Sequence, residues 1–146
     1  MFQKKSKLIL SLLICCLLLG ISFQTPMTIK GSDILTDGDY MYKILEDGTA
    51  MVYSYDGYDN IITVPSTLGG KTVTRISQGS FPISITKITI PETVTTINAS
   101  AFANRDKLET VSLPASLKKL GNDAFIGCPA IAHLTVAQGN TIYDSR

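Results

Sequence analysis

His133 is the chain's one histidine, and Cys128 is its one cysteine beyond residue 22. They stand five positions apart, and a thiol beside an imidazole is the pairing that makes a cysteine nucleophilic. Such a pair also needs a third group to orient the base, and none is recognisable in the sequence. Cys128 falls where the surrounding pattern expects a core-facing side chain. A buried structural thiol and an exposed imidazole flanking a strand account for both residues. No catalytic residue is assigned, and the chain is not expected to be an enzyme.

Metal and cofactor chemistry are no better supported. Asp-Gly pairs recur at Asp37-Gly38, Asp47-Gly48 and Asp56-Gly57, which raises calcium binding. On the EF-hand frame begun at Asp33, however, Leu35 takes a ligand position and Ile44 takes the place of the bidentate glutamate. The pairs read instead as turns, since aspartate bonds its own backbone and glycine admits a left-handed residue. No metal-ligand spacing or phosphate loop stands out, so no metal and no cofactor are expected.

Residues 1–22 read as a secretory signal peptide. Lys4, Lys5 and Lys7 precede an almost unbroken apolar run from Leu8 to Leu19, and Gly20-Ile21-Ser22 supplies small residues for cleavage. Continued to Phe23, the run has 16 residues, short of the ~20 that cross a bilayer. Leu17-Leu18-Leu19 follow Cys15 and Cys16, which argues against a lipid-attached cysteine. Cleavage leaves Cys128 alone, so no internal disulfide is possible and the domain must rely on its core. It also lowers the count of Lys and Arg from 13 to 10 against 12 acids, a balance of −2. That balance offers nothing to nucleic acid. The expectation is a secreted or cell-surface protein with no membrane contact once the leader is gone.

The rest of the chain repeats itself. TIPETVTTINASAF at residues 89–102 returns as SLPASLKKLGNDAF at 112–125, with apolar residues conserved in place and the positions between them drifting. Extended both ways, the strand triplets are Ile62-Thr63-Val64, Ile88-Thr89-Ile90, Val111-Ser112-Leu113 and Leu134-Thr135-Val136, spaced by 26, 23 and 23. A period in this range marks a solenoid, whose units bury their apolar faces against one another. Each triplet suits a short strand with its outer two residues inward. Pro65, Pro91 and Pro114 follow and should end each ladder. A second apolar pair comes next, then Asn98 or Gly121, both tolerant of a left-handed backbone, and then Ala-Phe as an interior plug. Upstream, Tyr40–Ile44 and Thr49–Tyr55 alternate as strands around Glu46-Asp47-Gly48, the signature of a hairpin. Their tyrosines could stack sugar rings, or cover the exposed end of the core.

The string from Leu108 to Cys128, Leu-x-x-Val-x-Leu-Pro-x-Ser-Leu-x-x-Leu-Gly-x-x-Ala-Phe-x-x-Cys, resembles the BspA-like leucine-rich repeat of bacterial surface proteins. The resemblance covers about residues 61–136 and implies a β-rich, right-handed leucine-rich repeat solenoid of ~23-residue units behind an N-terminal β-hairpin cap. It also implies export, and adhesion to or recognition of an extracellular protein or glycan. Arg105 stands where the family has cysteine, and Ser77 where it has glycine. The expected organisation is a signal peptide at 1–22, a spacer and hairpin cap at 23–60, and a solenoid at 61–146. "VAQGNTIYDSR" reads as the opening of a further segment, which makes the array truncated.

Such a solenoid presents the middle residue of each triplet outward. Thr63, Thr89, Ser112 and Thr135 should therefore stack as a hydroxyl ladder, with Lys87 and His133 beside it, and this is the candidate binding surface. Threonine is also simply a good exposed strand former. The competing expectation is a structural spacer, or a fragment of a longer array with no activity of its own.

Overall fold

The computed structural model describes residues 33–143. The expected leader and its two cysteines lie outside them. The described residues form eleven strands and no helix. The lead-in holds β1 (Leu35–Asp37), β2 (Tyr40–Ile44) and β3 (Ala50–Tyr55). Next come β4 (Ile61–Thr63), β5 (Thr67–Leu68), β6 (Lys71–Ile76), β7 (Lys87–Thr89) and β8 (Thr96–Ile97), then β9 (Thr110–Leu113), β10 (Lys119–Leu120) and β11 (His133–Val136).

Two sheets result. One is wholly parallel, in the order β4-β7-β9-β11. The other runs β1-β2-β3-β6-β8-β10, antiparallel through the lead-in and parallel from β3 onward, with β5 antiparallel on β6. Each coil of chain places one strand in the first sheet and sends the next short strand to the second. This is a β-solenoid, and its registers match Ile62, Ile88, Val111 and Leu134 in one column, as the triplets require.

Alternate backbone N–H groups serve the two neighbouring coils. Lys87, Thr110 and His133 donate backward to the carbonyls of Asn60, Thr86 and Glu109, whereas Val64 and Ile90 donate forward to Thr89 and Ser112. Proline at 91 and 114 occupies a backward-donating place and so stops the ladder there. At the corresponding place in the last coil, Ala137 has an N–H, and it bonds the Leu113 carbonyl at 2.9 Å.

Three local expectations change. The lead-in has three strands, because Gly38 at φ +55° turns the chain from β1 into β2; Leu35-Thr36-Asp37 is too short to show an alternation. The long connection at Leu68–Thr72 is itself a hairpin, with Gly69 and Gly70 at φ +54° and +71°, the pair of positive values that a type I′ turn requires. Asn98 and Gly121 are not left-handed. The positive φ falls two residues later, on Ser100 and Asp123, while Gly121 is needed for closeness: a Cβ there would lie 2.2 Å from the Ala99 nitrogen.

The core is a set of columns. Ile76 and Ile97 are fully buried, as are Val94, Leu108 and Val111. A column of rings runs beside them: Tyr40 and Tyr55 have centroids 4.8 Å apart, then Tyr55–Phe81 at 6.4 Å, Phe81–Phe102 at 5.4 Å and Phe102–Phe125 at 5.2 Å. The last two pairs are near-parallel stacks. Tyr55 is buried and its hydroxyl donates to Asp59 Oδ2 at 2.6 Å. That bond to a carboxylate, with burial added, raises its pKa from 10.0 to about 12.

One coil is short. Six positions separate Phe102 from Leu108 and Phe125 from Ile131, but only four separate Phe81 from Ile85, although both ends stay in their columns. The missing pair corresponds to Asn104-Arg105 in the next coil. Arg105 is 9 % exposed, and its guanidinium donates to the carbonyls of Ala103, Gly79 and Phe81. The side chain reaches back into the place the short coil leaves empty, and desolvation there lowers its pKa. In the last coil Cys128 holds the equivalent position, half-buried, with Sγ 3.0 Å from the Phe102 carbonyl.

Gly121→Ala forces backbone apart and should cost about 1–3 kcal/mol of folding stability, read from urea midpoints. Arg105→Ala strands three carbonyls and should cost about 1–3 kcal/mol, whereas Arg105→Cys combined with a two-residue insertion after Phe81 should restore part of the loss. Tyr55 favours the fold only while protonated. Its contribution is intact below pH 10 and lost as pH rises through about 12, so stability should fall more steeply across that window than in Tyr55→Phe, which cannot ionise.

Candidate binding face

The parallel sheet places the expected row as one ladder. Strand pairing sets Thr63 opposite Thr89, Thr89 opposite Ser112 and Ser112 opposite Thr135. Strands stand about 4.8 Å apart, so the four hydroxyls span roughly 14 Å along the solenoid. Thr135 Oγ1 donates to the Val111 carbonyl at 3.4 Å. The hydroxyls of Thr63, Thr89 and Ser112 have no hydrogen-bond partner among the described residues, and all four side chains reach solvent to some degree. The row is small, polar and flat.

One position earlier, the same ladders align Ile61, Lys87, Thr110 and His133. Lys87 and His133 are exposed at this border. The border is also apolar at its amino-terminal end, where Ile61 is 67 % exposed and Tyr58, three residues upstream, is 97 % exposed. Ile61 directly precedes the triplet and falls out of phase with the inward Ile62 and Val64, which turns it to solvent.

The tyrosines do not form one strip. Tyr40, Tyr42 and Tyr55 pack into the core, while Tyr53 faces out beneath the Lys43 ammonium, 4.5 Å from its ring centroid. On the second sheet Arg75, Thr96 and Lys119 share a register row, and the intervening threonine interrupts the positive charge. An open cavity of about 520 Å³ lies at the hairpin, lined by Ile44, Leu45, Glu46, Asp47 and Arg75. The Asp47 carboxylate accepts from both the hydroxyl and the N–H of Thr49, which lowers its pKa. These bonds show Asp47 closing its own turn, as the Asp-Gly reading expects. No hydrogen bond joins Cys128 to His133, and no group of three or more His, Cys, Asp or Glu able to hold a metal occurs among the described residues.

The segment after β11 does more than open a further stretch. Asn140 Nδ2 reaches the carbonyls of Pro114, Ala115 and Leu117 at 3.3, 3.1 and 2.9 Å, and its Oδ1 accepts from the N–H of Ile142 and Tyr143. The Tyr143 hydroxyl then accepts from the Leu120 N–H at 2.9 Å, so the outer edge of β10 is occupied.

Comparison with known proteins agrees with this architecture. The model of the BspA type leucine rich repeat region (6 copies) matches residues 58–146. Among solved structures, a leucine rich cell surface protein from Faecalibacterium prausnitzii is 30% identical with a TM-score of 0.61, covering 80% of this chain and 31% of its own. A leucine-rich repeat protein from Bacteroides ovatus is 28% identical with a TM-score of 0.62, covering 72% and 30%. The chain thus spans a little under a third of each of these longer proteins. A third, from Bacteroides capillosus, shares the fold at 21% identity and a TM-score of 0.53, covering 71% of this chain and 98% of its own. No curated protein matches the sequence. The repeats, the paired ladders and the family match lead to one assignment: the chain belongs to the BspA-type leucine-rich repeat family.

Proposed function

We propose that the chain is a binding module, secreted or displayed at the cell surface, that recognises an extracellular protein or glycan through the outer face of its parallel sheet. The observation that carries this reading is the row of Thr63, Thr89 and Ser112 hydroxyls, in register and free of protein partners. A buried hydroxyl must find a partner within the fold, but these can give and accept bonds with a ligand instead. Lys87 and His133 add a cationic and a titratable donor along one border, and Ile61 with Tyr58 adds apolar area of the kind found in recognition surfaces. Export is supported by the leader pattern at residues 1–22 and by the cell-surface protein among the structural relatives. A non-catalytic role accords with the repeat fold and with the Cys128 thiol donating to the Phe102 carbonyl.

In the same reading the β2–β3 hairpin is the amino-terminal cap. Tyr55 packs its ring towards Phe81, and Ile62 is only 3 % exposed at that end. A spacer role is the second reading, favoured by the bare Leu134 at the other end, 37 % exposed where its column is otherwise sealed.

The test is binding of the purified protein to a panel of extracellular matrix proteins and glycans. Saturable binding is expected, weakened at least about tenfold, or 1.4 kcal/mol, by the triple change Thr89→Arg, Ser112→Arg and Thr135→Arg with circular dichroism unchanged. Undiminished binding by the folded variant excludes this face. Absence of binding by the folded parent leaves the spacer.

A further inference from the structure

The outer face of the second sheet carries a charge pattern of its own. Its registers pair Lys43 with Met51, Met51 with Arg75, Arg75 with Thr96 and Thr96 with Lys119, so these five side chains form one row across β2, β3, β6, β8 and β10. The neighbouring row of Tyr42, Val52, Ile76, Ile97 and Leu120 packs into the core, which turns the cationic row outward. Arg75 and Lys119 are exposed, and the half-buried Lys43 holds its ammonium over the Tyr53 ring. None of the five strands contains an Asp or a Glu.

Cations on alternate strands stand about 10 Å apart, and the three span roughly 19 Å. A sugar ring advances an extended polysaccharide by much the same length as a strand spacing, so every second sugar falls in step with a cation. The open cavity of about 520 Å³ lies at Arg75, in the middle of the row. Ile44 and Leu45 give it apolar walls that suit the C–H face of a sugar ring, and Arg75 offers a guanidinium fork to a carboxylate. Glu46 and Asp47 close it from the turn. Both Thr49 bonds end on Asp47 Oδ1, which leaves Oδ2 to accept from sugar hydroxyls. An acidic peptide has no such hydroxyls and would meet the two carboxylates as like charges.

We propose that this face binds a linear acidic polysaccharide with a carboxylate on every second sugar, laid across the strands so that Lys43, Arg75 and Lys119 each take one carboxylate. The central acidic sugar sits at the cavity, with its carboxylate on Arg75 and its hydroxyls towards Glu46 and Asp47. Met51 and Thr96 lie under the uncharged sugars between, so the residues that interrupt the positive charge set its spacing. An exposed ion pair is weak alone, but three on one polymer act together. The hydroxyl row lies on the other sheet, so this site stands apart from the binding reading and either can fail without the other.

Titration of the purified protein with hyaluronan fragments, in which a carboxylate recurs on every second sugar, tests this. Saturable binding is expected at ~50 mM salt and should weaken steeply towards ~500 mM, because exposed charges are screened. Arg75→Gln combined with Lys119→Gln should weaken it at least about tenfold with circular dichroism unchanged, while Thr89→Ala, Ser112→Ala and Thr135→Ala together leave it intact. If the double variant loses the strand signal, Lys119→Gln alone serves for the comparison, with a loss of about threefold. No binding by the folded protein overturns the proposal, as does binding that the Gln variants do not weaken. Equal binding of carboxyl-reduced hyaluronan overturns it because the charge is then not read, and equal binding of polyglutamate does so because any polyanion then suffices.

Discussion

Everything in this molecule depends on one requirement: each coil must present its backbone donors and acceptors in phase with the coils before and after it. A short strand of three or four residues has no stability of its own, and it persists here because its N–H groups alternate between two neighbours. Chain length between strands is free, but phase at the strands is not. The extra residues between Val64 and Val73 leave the ladder as a separate small hairpin, and the shortened stretch between Phe81 and Ile85 is absorbed inside the coil. In both cases Ile62, Ile88 and Val111 remain aligned.

Phase then sorts the side chains. Residues on either side of each triplet's centre go inward and build columns of Ile, Val and Leu, so the centre goes outward in every coil. The hydroxyl row is a by-product of that sorting. Three of its members have no internal partners, and Ile61 and Tyr58 are bare at its amino-terminal end. The aromatic column works in the same way on the inside, with stacked rings marking off one coil from the next.

Much of this was legible in the sequence. The triplets, the prolines behind them and the spacing of 26, 23 and 23 specify the registers, and from those the outward row follows by strand geometry alone. Tyr40 and Tyr55 joining the ring column was not legible, because it depends on a loop path through Gly57, where a Cβ would strike the Tyr55 hydroxyl at 2.2 Å. Nor could sequence place the left-handed residues. Ser100 and Asp123 carry the positive φ while glycine goes to position 121 for lack of room, so residue type pointed to the wrong one of two constraints. The role of Asn140 and Tyr143 was hidden for a similar reason: their partners lie about one coil back, a distance that local pattern does not span.

Arg105 and the short coil behind it are separate by sequence but form one unit of heredity. Repeat arrays change by duplication, loss and exchange of whole units, and the unit that ends in Cys128 asks less of the coil before it, because its thiol meets only the Phe102 carbonyl there. The coil from Phe81 to Ile85 and the one that follows are not so independent. Recombination between Ile85 and Arg105 would leave either a void with unpaired carbonyls or a guanidinium with no cavity to enter. The array therefore has a junction across which its modules cannot be shuffled, and descendants of this chain should keep the shortened coil and the arginine together or lose both.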